Sequence, residues 1–209
     1  MMKSALVGAE RVVLDFSRSD CHGMSMDFIE PKMSALPAYR RALEEGWQPD
    51  DRRADGATRQ LKEIDENPAQ FLARLNERSV PDRPVRLPDG STRARLPSFH
   101  YWIWEEGFCG RISVRWQPGT SELPPHVLGH IGYSIVPWRR NQGLASAALL
   151  KLLPELPTLG LHHIDLVTDP TNAPSIRVIE KAGGELVERF HLPEGYEDAE
   201  ALRFRIALT

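Results

Sequence analysis

The run Ile135-Val-Pro-Trp-Arg-Arg-Asn-Gln-Gly-Leu-Ala145 constrains the fold more than any other stretch, because it joins an extended segment directly to a helix start. Upstream, Val127 to Val136 mixes β-branched and aromatic residues with small ones, and Pro137 stops it, so a strand ends here. Downstream, Leu144, Ala148, Leu149 and Leu152 follow helical spacing within the Ala- and Leu-rich run from Gly143 to Leu153. The turn between them holds Arg139, Arg140, Asn141, Gln142 and Gly143 and no carboxylate. Its first-turn N–H groups are open to an outside anion unless Asn141 caps the helix and the arginines are merely solvated. A helix N-terminus carries about half a positive charge, worth roughly 0.3 to 2 kcal/mol per anionic group, and Gly143 lets a ligand approach the backbone closely.

Two phosphate-binding loops are excluded. No Gly-Lys-Ser/Thr follows the turn, and no Gly-x-Gly-x-x-Gly is present. Arg140 to Ala145 fits Arg/Gln-x-x-Gly-x-Gly/Ala at a strand end that opens a helix. About thirty residues on, Ile164 to Thr168 reads as the next strand, followed by Asn172-Ala-Pro-Ser175, then Ile179, Lys181 and Gly183, and a closing strand Glu185 to Phe190. From Gly129 to Phe190 the chain resembles the GNAT acetyltransferase superfamily, with its pyrophosphate loop and its Asn-x-x-Ser-(x)5-Lys-x-Gly signature.

The resemblance implies a single α/β domain, with a mixed central sheet, helices on both faces and a strand-to-helix pyrophosphate loop. It implies an N-acetyltransferase that moves an acetyl group from acetyl-CoA to a primary amine by direct attack on the thioester, with no metal. In that family the strand before the loop splays from its neighbour and pairs its backbone with the pantetheine arm, a role that falls here to Ile135 and Val136. Gln142, Gly143, Leu144 and Ala145 would cradle the pyrophosphate with Arg140 at the mouth. Asn172 matches a position that contacts the cofactor, and Ser175 sits one turn into the same helix.

The chemistry needs a base for the amine, a donor for the thioester oxygen and a proton for the thiolate. His130 is the expected base: it shares one face of the strand with Gly132, Ser134 and Val136, and an unperturbed imidazole is mostly neutral at pH 7. A histidine satisfied inside the sheet is the other reading of the same residue, and Glu105, Glu106 or Glu122 could supply the base instead. Many family members carry a tyrosine four residues after the signature serine as thiolate acid, where this chain has Ile179. Tyr133 could substitute if its strand turned it toward the sulfur, although its parity is opposite that of His130. The missing tyrosine keeps a second function class open, a noncatalytic acyl-CoA-binding or sensing module.

The rest of the chain suits one domain over residues 1–209, with 1–97 supplying a first strand, helices and loops and 98–209 the acyl-CoA-binding core. Arg11 to Phe16 reads as the first strand and Ser17 to Pro31 as a loop. Cys21 and His22 in that loop are neighbours whose side chains diverge, a poor nucleophile and base pair. A helix is expected from Pro37 to Glu45, stopped by Gly46, and the charge-rich Pro49 to Asp65 reads as loop or weak helix. Asn67-Pro-Ala-Gln70 starts another helix as a capping box. Val80 to Pro97, with four prolines, reads as loop and turn. Ser98 to Trp104 and Phe108 to Trp116 form a hairpin, and Leu202, Phe204, Ile206 and Leu208 mark a terminal strand. A net charge of −3 argues against nucleic acid, and the His126, His162 and His163 spacing does not suit a metal. Two isolated cysteines and no apolar leader or spanning run point to a cytoplasmic enzyme acting on a small-molecule or peptide amine, with no membrane partner and room for a homodimer.

Overall fold

The computed structural model describes residues 26–50, 55–82, 84–86, 90–192 and 199–208. The strand expected over Arg11 to Phe16 lies outside them, as does Cys21, while Cys109 is a buried free thiol. Strands β1 (Asp27–Ile29), β4 (Ser98–Trp104), β5 (Phe108–Arg115) and β6 (Ile131–Ile135) form one antiparallel sheet, in the order given. A second antiparallel sheet places β9 (Glu200–Ala207) between β7 (His163–Thr168) and β8 (Glu185–His191). The two-residue strands β2 (Val85–Arg86) and β3 (Thr92–Arg93) pair within the proline-rich segment. The mixed sheet thus takes the form of two antiparallel halves whose edges, β6 and β7, face each other without a ladder.

Period-two alternation gives the first sheet two apolar faces. On one, Trp102 and Phe108 pack against α1 (Leu36–Glu44), α2 (Gly56–Glu66) and α3 (Pro68–Arg74) through Tyr39, whose ring stacks on Trp102 at 4.7 Å. On the other, Ile103, Ile112 and Val114 join Leu144, Leu149 and Leu152 of α4 (Leu144–Leu152), Ile179 of α5 (Ala173–Lys181) and Phe204 of β9. Pro154 cannot donate to the preceding turn, and the chain beyond α4 tightens into a 3-10 segment over Leu153–Leu159. No described helix is long and apolar enough to cross a membrane.

Two expectations are corrected, and one left open between loop and weak helix is decided. The segment read as loop up to Pro31 contains β1, which pairs with β4 and stacks Phe28 on Tyr101 at 4.8 Å. The charge-rich stretch holds the eleven-residue α2, because Ala57 and Ile64 share a buried stripe beneath its charges. The strand expected from Val127 starts at Ile131. Val127 turns its N–H back to the Pro124 carbonyl, 2.8 Å away, and Gly129 lies against β7, where a Cβ would come within 3.0 Å of the Asp165 carbonyl.

β5 and β6 are held close at Gly110, where a Cβ would meet the Ser134 carbonyl oxygen at 2.3 Å. Gly110→Ala should force the two strands apart and lower stability by about 1–3 kcal/mol in urea unfolding. A variant as stable as the parent would contradict this packing.

Candidate active site

The site begins with the direction of the backbone groups on β6. Val136 donates its N–H to the Cys109 carbonyl at 3.0 Å, and the His130 carbonyl accepts from Arg115 at 2.9 Å, so between them Gly132 and Ser134 turn their polar groups toward β5. In an antiparallel strand the intervening residues turn theirs the opposite way. The N–H and C=O groups of Ile131, Tyr133 and Ile135 therefore face β7 across a gap with no strand in it. This separates two residues that sequence reasoning put together. Ile135 faces the gap, with its carbonyl held by Arg140 Nε at 3.2 Å, whereas Val136 has its N–H on Cys109, its carbonyl on Arg139 N and its side chain in the core. Tyr133, not Val136, is the second residue presented to the gap.

His130 closes the gap at one end. Its N–H donates to the Asp165 carbonyl at 2.7 Å, and its Nδ1 accepts from the Asp165 N–H at 2.9 Å. The neutral ring consequently carries its proton on Nε2, which is buried with no hydrogen-bond partner. The residue is 0 % exposed, and burial pushes its pKa down to about 4. A base needs a free lone pair within reach of the amine, and this ring has none. In this arrangement His130 is satisfied inside the sheet, the other reading of the residue, and it ties β6 to β7. Asp165 is held in turn by Arg205, at 2.8 and 3.0 Å.

At the other end the gap meets the start of α4. Asn141 and Gly143 both adopt left-handed backbone, at φ 61 and φ 77. Gly143 is the N-cap, no side chain caps the helix, and its first turn has no acidic residue. Asn141 thus does not cap, and the N–H groups of Leu144, Ala145 and Ser146 point outward with no intrahelical acceptor. Gln142 and Gly143 are exposed, Ala145 is half-buried, and the Leu144 side chain anchors the turn in the core. Arg139 fixes the loop from behind: it pairs with the Glu105 carboxylate in the β4–β5 turn and donates to Gln142 Oε1 at 2.9 Å. Arg140, with no carboxylate partner among the described residues, stands exposed beside the turn.

The start of α5 borders the same region. Asn172 is its N-cap, with Oδ1 accepting from the Ser175 N–H at 3.1 Å, and Ser175 Oγ lies 2.8 Å from Tyr133 Oη. Ile179, at the position of the missing tyrosine, is buried, and a Cβ on Gly184 would meet its Cγ2 at 2.4 Å. On the opposite face of β6 the α1–α2 connection is pinned, since Trp47 Nε1 donates to Ser134 Oγ at 2.9 Å and Ser134 Oγ donates to the Gln48 carbonyl at 3.0 Å. A groove of about 280 Å³ lies between α1 and the β4–β5 turn, lined by Arg41, Glu45, Gly107 and the exposed Trp138.

The comparisons with known proteins agree with this architecture. The profile of the acetyltransferase (GNAT) domain family matches residues 41–185, and the chain belongs to that family. No curated protein matches the sequence at a significant level. Among solved structures, the chain is similar to Mycobacterium smegmatis RimJ in complex with CoA-disulfide (20 % identity, 87 % of this chain and 81 % of that one, TM-score 0.59). It is also similar to a Salmonella typhimurium acetyl transferase that modifies the N-terminal serine of ribosomal protein L7/L12 (13 %, 90 % and 97 %, 0.59). A third is the microcin C7 self-immunity acetyltransferase MccE in complex with acetyl-CoA and AMP (11 %, 87 % and 92 %, 0.59).

Removing the His130 ring leaves the Asp165 N–H buried without an acceptor, so His130→Ala should cost about 1–3 kcal/mol of stability. With a folded pKa near 4 against an ordinary 6.5, His130 takes up a proton in the unfolded chain first. Its contribution is complete above pH 6.5 and is lost as pH falls toward 4, and His100, lowered to about 3 by burial, acts in the same sense. Unfolding measured across this window should show a shallower slope in His130→Ala than in the parent; an unchanged slope would contradict the buried neutral ring.

Proposed function

We propose that this protein transfers an acetyl group from acetyl-CoA to a primary amine, by direct attack of the amine on the thioester. The observation that carries the reading is the gap between β6 and β7, which is lined by backbone groups of β6 turned away from β5 and opens at an uncapped helix N-terminus. A chain of amides joined to a pyrophosphate has the complementary groups: its phosphates meet the first turn of α4, and its amides meet the outward groups of Ile135 and Tyr133. Gln142, Gly143, Leu144 and Ala145 form the cradle, Arg140 stands at its mouth, and Asn172 and Ser175 border the arm from α5. The domain spans residues 1–209, with the helices before residue 97 framing the acceptor side.

An amine resembling lysine, with a pKa of about 10.4, is neutral in roughly one molecule in a few thousand at pH 7. Its proton leaves through solvent on the α1 side of β6, where the groove beside Trp138 gives access. The acceptor is a small molecule or a peptide with a primary amine. His130 keeps its place in the reading with a different role, setting where the gap ends and so how deep the thioester sits.

A noncatalytic acyl-CoA-binding module on the same fold is the second reading, favoured by the apolar Ile179 and by the engaged Nδ1 of His130. Turnover of acetyl-CoA against a panel of primary amines separates the two: transfer to one or more amines is expected, and tight binding without transfer would favour the module. Gly143→Asp places a side chain and a negative charge where the phosphates belong and should reduce acetyl-CoA affinity at least tenfold in calorimetry, about 1.4 kcal/mol. Parental affinity in that variant would overturn the cradle.

A further inference from the structure

The acid that family members take from the signature helix has no counterpart at Ile179, yet the departing thiolate still needs a proton. The side chains bordering the gap offer one arrangement that meets the need. Tyr133 sits on the gap-facing register of β6, and its phenol crosses to the first turn of α5, where Oη lies 2.8 Å from Ser175 Oγ and 3.4 Å from the Ser175 carbonyl. The ring is half-buried and packs against the main core, and Ser175 holds the hydroxyl. Ile135 lies two residues nearer the anion-binding turn, about 7 Å along the strand. An arm that pairs first with Ile135 and then with Tyr133 brings its sulfur to the rung that carries this hydroxyl.

We infer that Tyr133 is the general acid of the transfer and that Ser175 is the residue that positions it, an inference that rests on the acetyl-CoA reading above. As the amine nitrogen bonds to the acetyl carbon and the carbon–sulfur bond breaks, the electron pair of that bond goes to sulfur. The Tyr133 phenolic proton follows it, giving the free thiol. Ser175 donates to the phenolate oxygen while it lasts, and the proton released by the amine restores Tyr133 through solvent, so the cycle consumes nothing beyond its two substrates. Burial pushes the Tyr133 pKa up to about 12, which keeps the hydroxyl protonated at every working pH and makes it a donor, not a base. The parity that turns Tyr133 away from the α1 face of β6 leaves that face clear for the amine.

The test compares the parent with Tyr133→Phe, Ser175→Ala and Ser175→Thr. Acetyl-CoA binding is followed by calorimetry, and steady-state transfer to whichever amine the parent accepts is followed across pH. Tyr133→Phe keeps the ring and should lower kcat by roughly 10²-fold or more while acetyl-CoA affinity stays close to parental. Ser175→Ala should lose part of that rate, and Ser175→Thr, which keeps the hydroxyl, should restore it. Parental kcat in Tyr133→Phe overturns the assignment and leaves the acetyl-CoA reading intact. Equal losses of binding and rate also overturn it, by making Tyr133 a cofactor-packing residue. A parent that does not bind acetyl-CoA fails the underlying reading itself.

Discussion

The two-way hydrogen bond between His130 and Asp165 is the constraint on which the functional half of this structure depends. It joins the edges of two antiparallel sheets at one residue pair and leaves them unpaired beyond it. Unpaired strand edges inside a protein leave backbone donors and acceptors without partners, which costs free energy unless water or a ligand meets them. Here the same geometry that leaves them open aligns them along a channel, whose mouth is a helix N-terminus with no acidic or capping side chain. Packing, hydrogen bonding and electrostatics all favour one kind of guest, an extended amide chain with an anion at its end.

The surrounding elements hold that channel open and leave it clear. Arg139 ties the loop to Glu105 and Gln142, so a cation at the loop is neutralised behind the turn while Arg140 remains beside it. Leu144 plugs the turn into the core shared by both sheets, and Gly110 brings β5 close enough to take every even-numbered group of β6. On the far face, Trp47 and Gln48 pin the α1–α2 connection onto Ser134.

Much of this was legible in the sequence. The helical spacing of Leu144, Ala148, Leu149 and Leu152 gave α4 and its buried face, the Asn67 cap gave the start of α3, and period two gave the β4–β5 hairpin. What remained hidden depends on partners distant in the chain. Alternation along β6 says that neighbours point opposite ways, but not which of them meets β5, and so Val136 was grouped with Ile135 in place of Tyr133. The role of His130 likewise turned on which ring nitrogen Asp165 reaches, thirty-five residues away. A signal for Tyr133 was present, a tyrosine on the strand before the loop in a chain lacking the usual one on the helix, but its partner Ser175 emerges only once α5 is docked. Ala57 and Ile64 of α2 were masked by the charges around them, and β1 is three residues long.

The central claim is that acetyl-CoA occupies the gap as a strand-like neighbour of β6. Residue-resolved amide hydrogen exchange, with and without saturating acetyl-CoA, tests it most directly. The N–H groups of Tyr133 and Ile135 should gain protection on binding, while those of Gly132 and Ser134, already directed to β5, should change little. Saturation that leaves Tyr133 and Ile135 exchanging as in the free protein would contradict the account.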